Sequence, residues 1–90
     1  MDVYELADRL RDMLSVVAHG ERLMTINLFA IKYAEYMRED GFDFDLLLEE
    51  AGISENYKTE IYRGLRLSKY VDVKPEFSNI PYDAYIISQE

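Results

Sequence analysis

Between Ser54 and Lys74, five basic side chains (Lys58, Arg63, Arg66, Lys69 and Lys74) stand against three acids, Glu55, Glu60 and Asp72. The chemistry open to such a set is charge neutralisation. Ammonium and guanidinium groups on a solvent face take up phosphate oxygens, the contacts that dominate nucleic-acid affinity. This stretch carries +2 within a chain of net charge -8, which leaves -10 on the remainder. A polyanion is therefore repelled at long range, and the segment permits a basic face without establishing one.

Other chemistries find little support. His19 is the one histidine and cysteine is absent, so a thiolate zinc site and a disulfide framework are both excluded. Beside a helix end, His19 reads as a dipole partner or a solvated residue. The acid-rich run "REDGFDFDLLLEE" lacks the ligand series of a calcium loop. With no glycine-rich phosphate loop and no nucleophile–base pair, the expectation is a protein that is not an enzyme and uses no cofactor. Eight tyrosines and four phenylalanines raise the idea of a stacking platform for single strands. Phe29, Tyr33 and Tyr57, however, fall at helical core spacing, and core filling is the better account. Tyr82 and Tyr85 are the expected surface or interface aromatics.

The elements that must position the basic residues follow from the rest of the chain. Ninety residues, 49% hydrophobic, suit one domain with a modest core. No run reaches the roughly 18 apolar residues that span a bilayer, and "MDVYELADRL" is acidic where a signal peptide is basic. The expected setting is cytoplasmic, with no membrane partner.

Asp2 to Ala18 reads as an amphipathic helix with Val3, Leu6, Leu10, Met13, Leu14 and Val17 on one face, Asp2 as its cap, and a stop at His19-Gly20. A second helix is expected from Thr25 to Glu39 or Asp40, its core face marked by Ile26, Phe29, Ala30, Tyr33, Ala34 and Met37. Leu28 and Ile31 broaden that surface, as in a central helix covered on more than one side. Asp43 caps a short third helix, "FDLLLEEA", that Gly52 halts. Ser54 caps a fourth, from Glu55 to about Arg63, with Tyr57 and Ile61 one turn apart. After Gly64 the pattern changes: "YVDVK" alternates as a half-buried strand does, and "DAYIIS" is rich in aromatic and β-branched residues. The expected architecture is a single domain over 1–90, mainly α. It comprises an N-terminal helix (2–18), a helix-turn-helix core (25–66) of a domain of about four helices, and a C-terminal β-hairpin (70–88) in a winged-helix-like arrangement.

The turn "AGIS" explains the helix-turn-helix spacing. Ala51 allows close packing, Gly52 adopts positive φ, Ile53 plugs the core and Ser54 caps the helix that follows. On these residues, "GFDFDLLLEEAGISENYKTEIYRGLR" (41–66) resembles the lambda-repressor/Cro-like helix-turn-helix, through Ala51-Gly52-Ile53-Ser54, Tyr57, Ile61 and the Arg63, Gly64, Arg66 ending. "GERLMTINLFAIKYAEYM" with the same stretch also resembles small bacterial helix-turn-helix-like proteins, some associated with restriction or phage-defence loci. Two departures stand out. Phe44 lies where the repressor family often has a phosphate-touching Gln, and Lys58 where it buries an aliphatic side chain. Phe44 implies a hydrophobic contact in place of a DNA contact, and Lys58 a rotated helix or a stem that snorkels to the surface.

The resemblance implies a docking geometry in which Asn56, Thr59 and Lys58 face base edges while Arg63, Arg66 and Lys69 hold phosphates of double-stranded DNA. Function would then be DNA binding, sequence-specific or accessory, as a homodimer, in transcription regulation or a bacterial defence locus. The alternative is an acidic protein-interaction module of the same fold. It would dock on a basic partner such as a nucleic-acid enzyme from the same operon, without DNA. Phe44, Glu60 and the -10 outside the reading segment favour that alternative.

Overall fold

A computed structural model describes residues 1–17 and 20–74. Among the described residues five α-helices follow one another, α1 (Val3–Ser15), α2 (Arg22–Lys32), α3 (Ala34–Met37), α4 (Phe44–Ala51) and α5 (Lys58–Leu67), with a 3₁₀ turn (Glu55–Tyr57) leading into α5. Local chemistry sets most of the boundaries. The Asp2 carboxylate accepts from the Glu5 N–H at 2.9 Å and opens α1. Asp43 does the same for α4 through the Leu46 N–H at 3.0 Å, and Ser54 Oγ accepts from the Asn56 N–H at 3.1 Å at the start of the 3₁₀ turn. Gly52 closes α4 at φ 75°, where its own N–H satisfies the carbonyls of the last turn.

The core lies where α1, α2, α4 and α5 converge. Leu6, Leu10, Ile26, Phe29, Leu47, Leu48 and Ile61 are fully buried, with Ala7, Ala30 and Met37 beside them. α2 is the central element, in contact with α1, α3 and α5, while α1 packs chiefly on α4. Arg11 at the end of α1 donates to the Glu50 carbonyl at 2.7 Å, tying α1 to the last turn of α4. Along α2 and α3 the buried positions are Thr25, Ile26, Phe29, Ala30, Ala34 and Met37.

Several expectations need correction. The C-terminal hairpin and the winged-helix arrangement are overturned: there is no β-strand among the described residues, and residues 71–74 run without regular structure. The alternation in "YVDVK" is a local preference that stabilises a strand only where one face is buried against a core. Here Tyr70 and Val71 project into solvent. "DAYIIS", with Tyr82 and Tyr85, lies outside the described residues, as do Ala18 and His19. The single helix expected from Thr25 to Glu39 is two, because Tyr33 leaves helical geometry at φ -108°, ψ 20°. It also begins a turn earlier, at Arg22. Finally, Gly64 does not end the fourth expected helix, which continues to Leu67.

Candidate nucleic-acid interface

The segment expected to contact DNA is the 3₁₀ turn plus α5, set against α4 by the Gly52 turn and against α2 by a close crossing. That crossing depends on Gly64. A Cβ placed there would lie 2.4 Å from Ala30 Cβ and 2.7 Å from the Asn27 carbonyl. Asn27 Nδ2 donates to the Glu60 carbonyl at 2.9 Å, one turn earlier on α5. Glycine in mid-helix costs roughly 1 kcal/mol relative to alanine, and the contact with α2 is what offsets it. With Ile61 and Gly64 held inward, the outward stripe of α5 is fixed by helical spacing as Thr59, Arg63 and Arg66, with Tyr62 beside it.

The six residues singled out in the sequence are not equivalent. Asn56 and Thr59 are exposed at the beginning of the segment. Lys58 is half-buried and its ammonium makes an ion pair with Asp45 in the first turn of α4. That hydrogen bond raises the Lys58 pKa above its ordinary value, with partial opposition from desolvation. Lys58 therefore turns towards the bracing helix, and its stem lies along the surface. Arg63 is exposed, but its Nη1 donates to both oxygens of Glu60 at 2.7 Å. Glu60 is only 8% exposed. The pair costs the face one positive charge and in return fixes the guanidinium, whose remaining N–H groups stay directed away from the carboxylate. Arg66 and Lys69 are exposed and make no ion pair among the described residues. Uncompensated positive charge thus gathers towards the end of α5.

Two contributors are invisible to sequence spacing. Arg38, which follows α3, donates to the Oγ of Ser68, thirty residues away in the chain and the neighbour of Lys69 in sequence. Ser68 in turn donates to the Leu65 carbonyl at 2.6 Å. The second is Tyr62. Phe44, half-buried, packs edge-on against the Tyr62 ring at 5.1 Å and 76°, and against Phe42 at 4.8 Å. The Phe44 ring is thus engaged in packing within the protein, bracing α4 on α5. Opposite in character, the outward positions of α4 are acidic: Asp43, Asp45, Glu49 and Glu50 are all exposed.

No residues of a cysteine type exist in the chain, and no group that could hold a metal ion occurs among the described residues. None of the described helices is long and apolar enough to cross a membrane. No curated protein and no solved structure matches the chain. A family model described as an HTH-like domain matches residues 2–74, which takes in all five helices and the turn between α4 and α5, and the chain belongs to that family.

Proposed function

We propose that this domain binds double-stranded DNA, with the 3₁₀ turn and α5 as the element presented to the major groove. The observation that carries the reading is the outward stripe Thr59, Arg63, Arg66, one side chain per turn, with Arg63 anchored by a buried carboxylate. In this arrangement Asn56 and Thr59, nearest the helix start, meet base edges. Arg63, Arg66 and Lys69 take phosphates, and Lys58 braces α5 on α4 through Asp45. A groove about 12 Å wide admits one such helix. One helix offers few phosphate contacts, so a symmetric pair of chains on a two-fold site is the expected binding unit. The likeness to lambda-repressor/Cro-like proteins and to restriction- or defence-associated ones supports a regulator or accessory factor of such a locus.

The test is fluorescence anisotropy on duplex fragments of the source genome over a salt series. Three phosphate contacts per chain predict a slope of log affinity on log salt of about -2.7, and twice that for a pair of chains. Salt-insensitive binding, or none at low salt, overturns the reading.

One observation favours a second reading, a protein-docking module. The exposed side chains along α4 and at its cap, Asp43, Asp45, Glu49 and Glu50, are all acidic, and the last turn has no basic residue of its own, its carbonyl end being met by Arg11 of α1. Such a run of exposed carboxylates is consistent with an acidic face that meets a basic protein partner, such as a nucleic-acid enzyme of the same operon. A stoichiometric partner that co-purifies and stays bound at high salt would favour this reading over the first.

A further inference from the structure

The outward face of α5 is polar and charged along Thr59, Arg63 and Arg66, yet an aromatic ring sits in its middle. Tyr62 retains 39% of its surface, and it is not loose. The T-shaped contact with Phe44, itself set against Phe42, holds the ring in place. The Lys58 ammonium one turn before it is paired with Asp45 and so brings no free charge to that side of the ring. Arg66, one turn after it, shares the outward face. A rigid, uncharged ring among hydrogen-bonding and charged neighbours cannot hold a phosphate by charge. What it offers is apolar area, at low entropic cost because the ring is already fixed.

We infer that Tyr62 is a specificity residue that recognises thymine. The inference rests on the DNA-binding reading above and deepens it. Among the groups that base pairs present in the major groove, the C5 methyl of thymine is the apolar one, and a hydrophobic side chain reads it by contact. Phe44 has a matching role as a positioning residue. It acts through the Tyr62 ring, which is why a phenylalanine can stand at the first position of α4.

The experiment uses the unmodified chain. The tightest duplex is recovered from a randomised pool, and each of its thymines is replaced in turn by deoxyuridine, which removes the methyl group alone. At one position per half-site the affinity falls about fourfold, the worth of one buried methyl group, and the salt slope does not change because no charge is involved. Tyr62→Phe keeps the ring and keeps the discrimination. Tyr62→Ala binds the thymine and deoxyuridine duplexes equally, with circular dichroism to confirm that it folds. If wild type binds the duplex but no deoxyuridine replacement weakens it, the inference fails and the DNA-binding reading stands. If the pool yields no duplex at all, that reading fails and takes the inference with it.

Discussion

Gly64 approaches Ala30 so closely that α2 and α5 leave no room for a side chain between them: a Cβ on Gly64 would stand 2.4 Å from Ala30 Cβ and 2.7 Å from the Asn27 carbonyl oxygen. Gly64→Ala gains roughly 1 kcal/mol of helix propensity. The carbonyl is backbone and cannot swing away, so overpacking exceeds that gain. The net expectation is a loss of about 1–2 kcal/mol in urea unfolding. Ala30→Gly introduced with it removes one of the two clashes, and the double variant should lose less from Gly64→Ala than the wild type does. Equal losses in both backgrounds would show that α2 and α5 separate easily.

The Glu60–Arg63 pair distinguishes residues that stabilise from residues that bind. Arg63→Ala leaves a carboxylate that is 8% exposed without its partner. A fully buried broken pair costs 3–5 kcal/mol, but the Arg63 side chain is 54% exposed and solvent screens the interaction. The expected loss is about 1–2 kcal/mol of stability, together with weaker DNA binding. Arg66→Ala, which breaks no ion pair among the described residues, should leave the urea midpoint within error. It should reduce the salt slope by about one per chain. A stability loss as large as that of Arg63→Ala would refute the distinction.

Gly52 and Gly64 show where the sequence was legible. Caps and stops are written locally. Asp2, Asp43, Ser54 and Gly52 act on backbone groups two to five residues away, so their types and positions disclosed helix ends before any fold was known. Gly64 is locally indistinguishable from Gly52, but the reason for it lies on another helix, at Ala30. The same limit hid the function of Phe44, visible as an anomaly but not as the support of Tyr62. It hid Arg38 altogether, since nothing near Arg38 points to Ser68. The hairpin failed for a related reason. A two-residue alternation states a local preference, and with Tyr70 and Val71 exposed rather than set on a core it does not make a strand. The basic count from Ser54 to Lys74 is correct, but Asp45, on another helix, occupies Lys58, whereas Glu60, one turn away on the same helix, engages one amino group of Arg63 and leaves the other free among the described residues.

The Lys58–Asp45 pair gives a pH signature. The folded protein raises the Lys58 pKa above 10.5, chiefly through its hydrogen bond to Asp45. A group with a raised folded pKa contributes stability in full below its unfolded value, and that contribution disappears as pH rises through the folded value. The contribution is therefore present at neutral pH and is lost in the alkaline range above about 10.5. Thermal unfolding of wild type and Lys58→Met between pH 8 and 11.5 should show two curves that converge at the alkaline end, the tyrosine background being common to both. Lys58→Met should also leave the salt slope of DNA binding unchanged, because the ammonium is already occupied. A slope reduced by one would instead make Lys58 a phosphate contact.

Asp43 does two things at the start of α4 that a single substitution can separate. Its carboxylate caps the helix through the Leu46 N–H, and it adds a negative charge to the end of α4 that lies against α5 through Phe44 and Tyr62. Asparagine caps nearly as well as aspartate, whereas alanine does not. Asp43→Ala should therefore cost about 1 kcal/mol of stability, and Asp43→Asn only a small part of that through the weaker dipole interaction. Both remove the same charge from a surface that approaches phosphates, so both should tighten DNA binding by roughly twofold at low salt, with the gain vanishing at high salt as screening sets in. If instead the charge serves a basic protein partner, both substitutions should weaken that complex and leave DNA affinity where it was. The two readings of the domain thus predict different outcomes for the same uncharged side chain at position 43, tighter DNA binding under one and a weaker protein complex with unchanged DNA affinity under the other. The Asn variant, which keeps the helix capped, shows the outcome free of any folding defect.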